Sequence, residues 1–292
     1  MHHNDISQKL QYDFGLKPVV ATEIEFYLHD VALKLTQAEV ISLIESKCKE
    51  ADLLLACAEA ERGPDQYEVS LLPSADIDRI AKDTERFKVL MTETFAPYGI
   101  RADFAAKPFK DAPGSGLHVH VHLEDGQGKN VFFREEEVFS PMLLNAIGGL
   151  LVLMNPCMPI FAPTEKSYER FLHTANDYLI CPTAANLPLT VSWGTNNRTV
   201  AVRLPSKPAD NKHIEHRVSG SDADVAAVIA AILAGIHYGL SQKYDPGAPV
   251  YGDASLAQYR LPKLAVSLEE ARGYMKECKA LENYSGFAEA VS

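Results

Sequence analysis

Along this chain, apolar positions alternate with polar ones in short runs and recur at helical spacing in longer ones. V-V-A-T-E-I-E-F-Y-L (Val19 to Leu28) is β-branched and aromatic, which predicts a strand. Gln66 to Leu72 and Leu117 to Leu123 alternate and predict two more, the second with two distinct faces. Ile100 to Ala106 is a further short candidate, and T-V-S-W and T-V-A-V-R-L-P predict strands on either side of G-T-N-N-R. His213 to Val218 predicts another. Helical spacing runs from Thr36 to Ala51, with Thr36 as cap, and from Asp76 to Ala96. Pro141 to Met154 predicts an apolar helix followed by an exit loop, the prolines at 156 and 159 interrupting it. Asp222 to Leu240 is apolar nearly all round and predicts a buried helix. A last amphipathic helix starts near Val266; its apolar face (Leu268, Tyr274, Met275, Cys278, Leu281) suits core better than interface. Strands and helices mix without strict βαβ repeats. The predicted class is therefore α+β, a mostly antiparallel sheet flanked by helices.

Composition narrows the function classes. The 292 residues are 47% hydrophobic and 23% charged, the balance of an ordinary globular chain. Acidic residues outnumber basic ones, 39 to 28, which disfavours binding along a phosphate backbone. No nucleic-acid partner is expected. Cys48, Cys57, Cys157, Cys181 and Cys278 are scattered and form no C-x-x-C, which argues against a disulfide framework or a structural zinc site. The N-terminal M-H-H-N-D-I-S-Q-K-L lacks the pattern of a signal peptide, and the apolar stretch from Ala146 to Ala162 is too interrupted to span a bilayer. A cytoplasmic protein with no membrane partner is the expectation.

Two groups of residues invite chemistry. Glu23 and Glu25 sit two apart in a strand and share a face, where they should repel. Either that face is a solvated edge or a counter-charge meets it. Glu61 and Glu68 flank G-P-D-Q-Y, and Glu68 interrupts an apolar strand. His118, His120 and His122 alternate on one strand face after the G-S-G of Gly114 to Gly116, a turn that lets a ligand approach backbone. Glu215 shares a strand face with Arg217. The arginines at 170, 198, 203 and 217 form the second group, and their planar forks suit carboxylate and phosphate. Hard carboxylate oxygens with one or two imidazoles suit Mg²⁺ or Mn²⁺. Metals plus arginines equip a site for phosphoryl transfer. No P-loop, Rossmann or nucleophile-elbow motif occurs.

These residues stand in segments that resemble glutamine synthetase. E-I-E-F-Y at Glu23, E-R-G-P-D-Q-Y-E from Glu61, K-P-F from Lys107 and G-S-G-L-H-V-H from Gly114 carry the first half of the likeness. S-Y-E-R at Ser167, N-R-T-V-A-V-R-L-P at Asn197 and H-I-E-H-R at His213 carry the second. The wording is nearest the γ-glutamyl-amide ligase branch, such as γ-glutamylpolyamine synthetase. The resemblance implies a two-step ligase: ATP phosphorylates the side-chain carboxylate of glutamate or a similar amino acid, and an amine displaces phosphate. It implies one metal at Glu25, Glu61 and Glu68 and a second at Glu23, His118 and Glu215. It further implies His120 beside the nucleotide phosphates and Gly114 at the substrate amino group. Arg170 and Arg217 would then bind substrate carboxylates, and Arg198 and Arg203 the transferring phosphoryl group.

The departures are specific. The family carries a β-grasp domain before the catalytic domain. Here residues 1–18 form only an N-terminal extension ahead of a catalytic domain over 19–292, shortened at its C-terminal end. The loop after Arg170 lacks the glutamate that takes a proton from the incoming amine, and Asp177 is the candidate replacement. Asp65 stands where the second glycine of G-P-G-Q is expected, and His213 where an arginine is expected. Metal and phosphate chemistry is therefore expected to be retained, and the amine side altered. Assembly into a homo-oligomer, with an accessory subunit supplying the missing lid, would be consistent with this. The competing expectations are a non-catalytic homologue that binds ATP or glutamate, and a phosphotransferase on the same fold.

Overall fold

The thirteen residues Lys17–His29 form β1, and even positions from Val20 to Leu28 bury against helices while odd positions face the other way. That single alternation sends Ile24 and Phe26 into the core and leaves Glu23 and Glu25 together on the opposite face. The computed structural model describes residues 3–31, 34–134, 139–172, 186–206, 211–284 and 287.

Around β1 the sheet adds β2 (Leu55–Ala60), β3 (Gln66–Leu71), β4 (Arg101–Asp103), β5 (Leu117–Glu124), β6 (Trp193–Thr195), β7 (Val202–Leu204) and β8 (Ile214–His216). The spatial order is β2-β3-β1-β5-β8-β7-β6, with β4 pairing the far end of β1. All pairs are antiparallel except β6 with β7. This is the mostly antiparallel sheet expected. The β6 strand begins at Trp193 and takes in Gly194 and Thr195, so it lies later than the predicted T-V-S-W, and its pairing with β7 is parallel. The predicted strand over 100–106 shrinks to β4.

Helices cover the core face: α1 (His3–Phe14), α2 (Gln37–Glu50), α3 (Ile77–Phe95), α4 (Pro141–Phe161), α5 (Val225–Gln242) and α6 (Leu268–Glu277). Thr36 caps α2, as the sequence predicts, and does so in a full capping box with Glu39. Helix α4 runs through Pro156 and Pro159 to Phe161 rather than ending at Met154. Packing outweighs the two missing N–H donors, and Asn155 ties the segment down by donating to the Lys263 carbonyl and accepting from the Ala265 N–H. Both α4 and α5 are long and apolar enough to cross a bilayer by composition, yet 72% of each such window is buried in this fold. They cross in near backbone contact: a Cβ on Gly149 would sit 2.0 Å from the Gly235 carbonyl.

Two elements escaped the sequence reading. The stretch expected as an extension contains α1, which buries Ile6 and Leu10 in the same core. Its last turn reaches α5, where His237 lies 2.8 Å from Asp13 and edge-on to Phe14. β2 is an edge strand that stays largely exposed, so it carries no apolar alternation to read.

Candidate active site

The non-helical face of the sheet holds the acidic and imidazole side chains. Register sets them side by side: Glu23 is opposite His118, Glu25 is opposite Glu68, and His120 is opposite Glu215. Arg203 on β7 is the register partner of Glu215 on β8. A cavity of about 410 Å³ opens over this face and is lined by Glu23, Glu25, Glu61, Glu68, His118, His120, Glu215 and all four expected arginines.

Distances are short. His118 Nδ1 lies 2.6 Å from Glu23 Oε1, and His118 Nε2 lies 3.9 Å from Glu25 Oε1. His120 Nε2 is 3.4 Å from Glu23 Oε2. Arg203 Nη1 donates to Glu215 Oε2 at 2.6 Å, and Arg217 donates to the other oxygen. The glycine turn closes one wall, with the Gly116 N–H donating to Glu25 Oε2 at 2.7 Å. A Cβ on Gly116 would fall 2.7 Å from both the Arg170 guanidinium and His118 Nε2, so any larger residue would have to displace these two side chains. Arg170 is 4% exposed and donates to the carbonyls of Val218 and Arg217.

The electrostatics divide. Burial pushes Glu68 up to about 11, helped by the charges of Glu23, Glu25 and Glu61. Glu61 is raised by burial and by Glu25. Burial alone would raise Glu23 as well, but hydrogen bonds and charge from His118 and His120 hold it far below the usual carboxylate range. For Glu215 burial is again opposed, here by Arg217, His120, His118 and Arg203, which hold it down to about 2. Burial lowers Arg170 to about 10.

Two triplets could each hold a cation, their ligand atoms lying within 4.8 Å of one another: Glu23–His118–Glu215 and Glu25–Glu68–His118. The donor set of carboxylates and one shared imidazole suits a hard divalent ion. The raised Glu68 marks a carboxylate cluster with too little positive charge, which such an ion would relieve. These residues therefore fit a metal.

A family profile described as glutamine synthetase, catalytic domain, matches residues 29–291. The chain belongs to the glutamine synthetase family. It is 32% identical over 300 residues to gamma-glutamylputrescine synthetase PuuA of Escherichia coli, covering 93% of this chain and 61% of that protein. It is 31% identical over 245 residues to glutamate–isopropylamine ligase of a Pseudomonas species, covering 83% of this chain and 51% of that protein. It thus spans little more than half the length of these relatives. A solved GmaS/ADP complex superposes with a TM-score of 0.85 at 22% identity, over 99% of this chain and 70% of that one, which shows the glutamine synthetase fold.

Within this family member, the first triplet coincides with the set the resemblance implies for one metal. In the second, His118 stands beside Glu25 and Glu68, while Glu61 lines the cavity outside the triplet. Gly114 lines the cavity, and its carbonyl accepts from Gln66 Nε2 at 3.1 Å. Asp65 takes a left-handed conformation (φ 56°), so the turn expected of a glycine is kept. His213 packs edge-on against His120, ring centroids 5.2 Å apart, and burial brings it down to about 4. His122 pairs with Glu124 instead of joining the cavity lining. Asp177 and Cys181 lie outside the described residues.

The sequence reading missed Glu59, Arg62, Gln66, Asn186 and Asn196, all of which line the cavity. Glu59 had a signal: it stands two residues before Glu61, near the end of β2, and is the register partner of Glu68. Asn196 shows itself only through Arg203, whose Nη2 donates to it at 2.9 Å.

Proposed function

We propose that this chain carries out the ATP- and divalent-metal-dependent joining of a carboxylate, the γ-carboxylate of glutamate, to an amine through an acyl-phosphate. The observation that supports it is the meeting of two carboxylate–imidazole triplets and four arginines in one cavity. Two Mg²⁺ or Mn²⁺ ions, when bound, would neutralise phosphate oxygens as Lewis acids. Glu25, Glu61 and Glu68 would face the ion nearer the amino acid, and Glu23, His118 and Glu215 the ion nearer ATP. Arg198 and Arg203 would orient the transferring phosphoryl group, with His120 beside the phosphates. Arg170 and Arg217 would bind the acid's carboxylate, and Gly114 its amino group. Asp177 is our candidate for taking the proton from the amine. The acceptor is an alkyl amine rather than ammonia, a reading supported by the two relatives whose names specify putrescine and isopropylamine. We further propose a cytoplasmic homo-oligomer, with an accessory subunit closing the amine side.

The test is metal-dependent phosphate release from ATP with glutamate alone and then with putrescine, isopropylamine and ammonium, comparing wild type with Glu25→Ala. Release that needs glutamate and an alkyl amine, and is lost in the variant, is the expected result. Mg·ADP binding without turnover under any amine would point to a binding homologue instead. Release with glutamate alone, with no amide product, would point to a phosphotransferase.

A further inference from the structure

Glu215 has both oxygens engaged. Arg203 Nη1 donates to Oε2 at 2.6 Å, and Arg217 Nη1 donates to Oε1. The carboxylate is 1% exposed and Arg217 6%. Yet the Nε of each arginine is buried with no hydrogen-bond partner among the described residues. Each guanidinium thus gives one Nη to the same carboxylate and keeps its Nε unsatisfied. The same Oε1 lies 3.9 Å from His118 Nδ1, and Glu215 belongs to the Glu23–His118–Glu215 triplet. One carboxylate is therefore claimed by the arginines and by the candidate cation site.

We propose that Glu215 couples cation binding to anion binding: without a divalent ion it clamps Arg203 and Arg217, and engagement by a divalent ion frees both for an anionic substrate. The coupling rests on the metal and phosphoryl-transfer reading above. Separating a buried guanidinium–carboxylate pair is costly because water cannot replace either partner. A dication at the triplet competes for the same oxygens and repels the guanidiniums, which weakens the clamp. Each arginine has a second anchor on which to pivot: Arg203 Nη2 on Asn196 Oδ1 at 2.9 Å, and Arg217 Nη2 on the Asn186 carbonyl at 3.4 Å. By linkage, an anion held by the freed arginines tightens cation binding by the same factor.

The probe is inorganic phosphate, titrated by calorimetry into the full chain in the presence of a metal chelator. Glu215→Gln should bind it about tenfold more tightly than wild type, within the usual range of a coupling between sites. Glu23→Gln makes the same change of charge and removes a member of the same triplet, but touches His118 and His120 rather than an arginine. Its gain should be clearly smaller, and an equal gain overturns the clamp as a mere charge effect. The converse experiment does not depend on Glu215→Gln folding. Arg203→Gln should tighten Mn²⁺ binding without anion more than Arg198→Gln, which removes the same charge from an exposed cavity residue. Equal effects of these two overturn the proposal. Mg·ADP binding by wild type is read alongside. Its absence overturns the nucleotide reading, whereas its presence with matched variants overturns the clamp alone.

Discussion

The two sides of the cavity solve the burial of carboxylates in opposite ways. On the β7–β8 side Glu215 meets two arginines and is held down to about 2. On the β2–β3 side burial, with the charges of Glu23, Glu25 and Glu61, pushes Glu68 up to about 11. One side has its counter-charge built in, two guanidiniums to one carboxylate. The other waits for positive charge or carries a proton. Cations serve both halves differently: at the Glu25–Glu68–His118 triplet one would satisfy the second half, and at the Glu23–His118–Glu215 triplet one would loosen the first for an anion.

The sharpest way to break this comparison is stability without metal. Glu215→Gln removes the charge that two buried or half-buried guanidiniums share, and should cost about 3–5 kcal/mol. Glu68→Gln replaces a group that already carries its proton at neutral pH, and should change stability by less than about 1 kcal/mol. Urea midpoints of the two variants in chelator decide it. Equal losses would mean that the β2–β3 carboxylates are ion-paired after all. Divalent ions come next. Saturating wild type to about a hundred times the dissociation constant should add about 2.7 kcal/mol, and Glu25→Ala should lose most of it. A thermal scan with and without Mn²⁺ reads the difference. Gly116→Ala tests the seam between the halves, since its Cβ would press on both Arg170 and His118. The expected cost is about 1–3 kcal/mol, with weakened Mn²⁺ binding. Unchanged Mn²⁺ binding would separate the turn from the cation site.

How far the sequence foretold this division depends on which contacts strand alternation can show. It put Glu23 with Glu25 and His118 with His120 on one face of their strands, and both pairs line the cavity. It could not show that Glu215 is clamped from the next strand, because the partnership of Arg203 with Glu215 is a matter of register between β7 and β8. Likewise it placed Glu61 with Glu25 and Glu68 only through family likeness, and in the structure His118 stands in that triplet. Elements were lost where local pattern and tertiary packing disagree. The α1 helix is mostly polar, with Ile6 and Leu10 as its buried anchors, and α4 continues past two prolines because its neighbours hold it.

The smallest expected effect bears on that disputed glutamate. Glu61 is raised by burial and by Glu25, so its negative charge opposes its surroundings in the metal-free protein. Glu61→Gln keeps the shape and removes the charge. Metal-free stability should therefore rise, by less than about 1 kcal/mol because the side chain is only half-buried. The stabilisation by Mn²⁺ should fall, but by less than in Glu25→Ala, because Glu25 belongs to a triplet and Glu61 lies beside it. These opposite signs separate two roles. A residue that only completes the fold would lose stability in both conditions. A residue that holds the ion as closely as Glu25 would lose as much metal-dependent stability as Glu25→Ala, and the β2–β3 half would then close around the cation with Glu61 as a full partner.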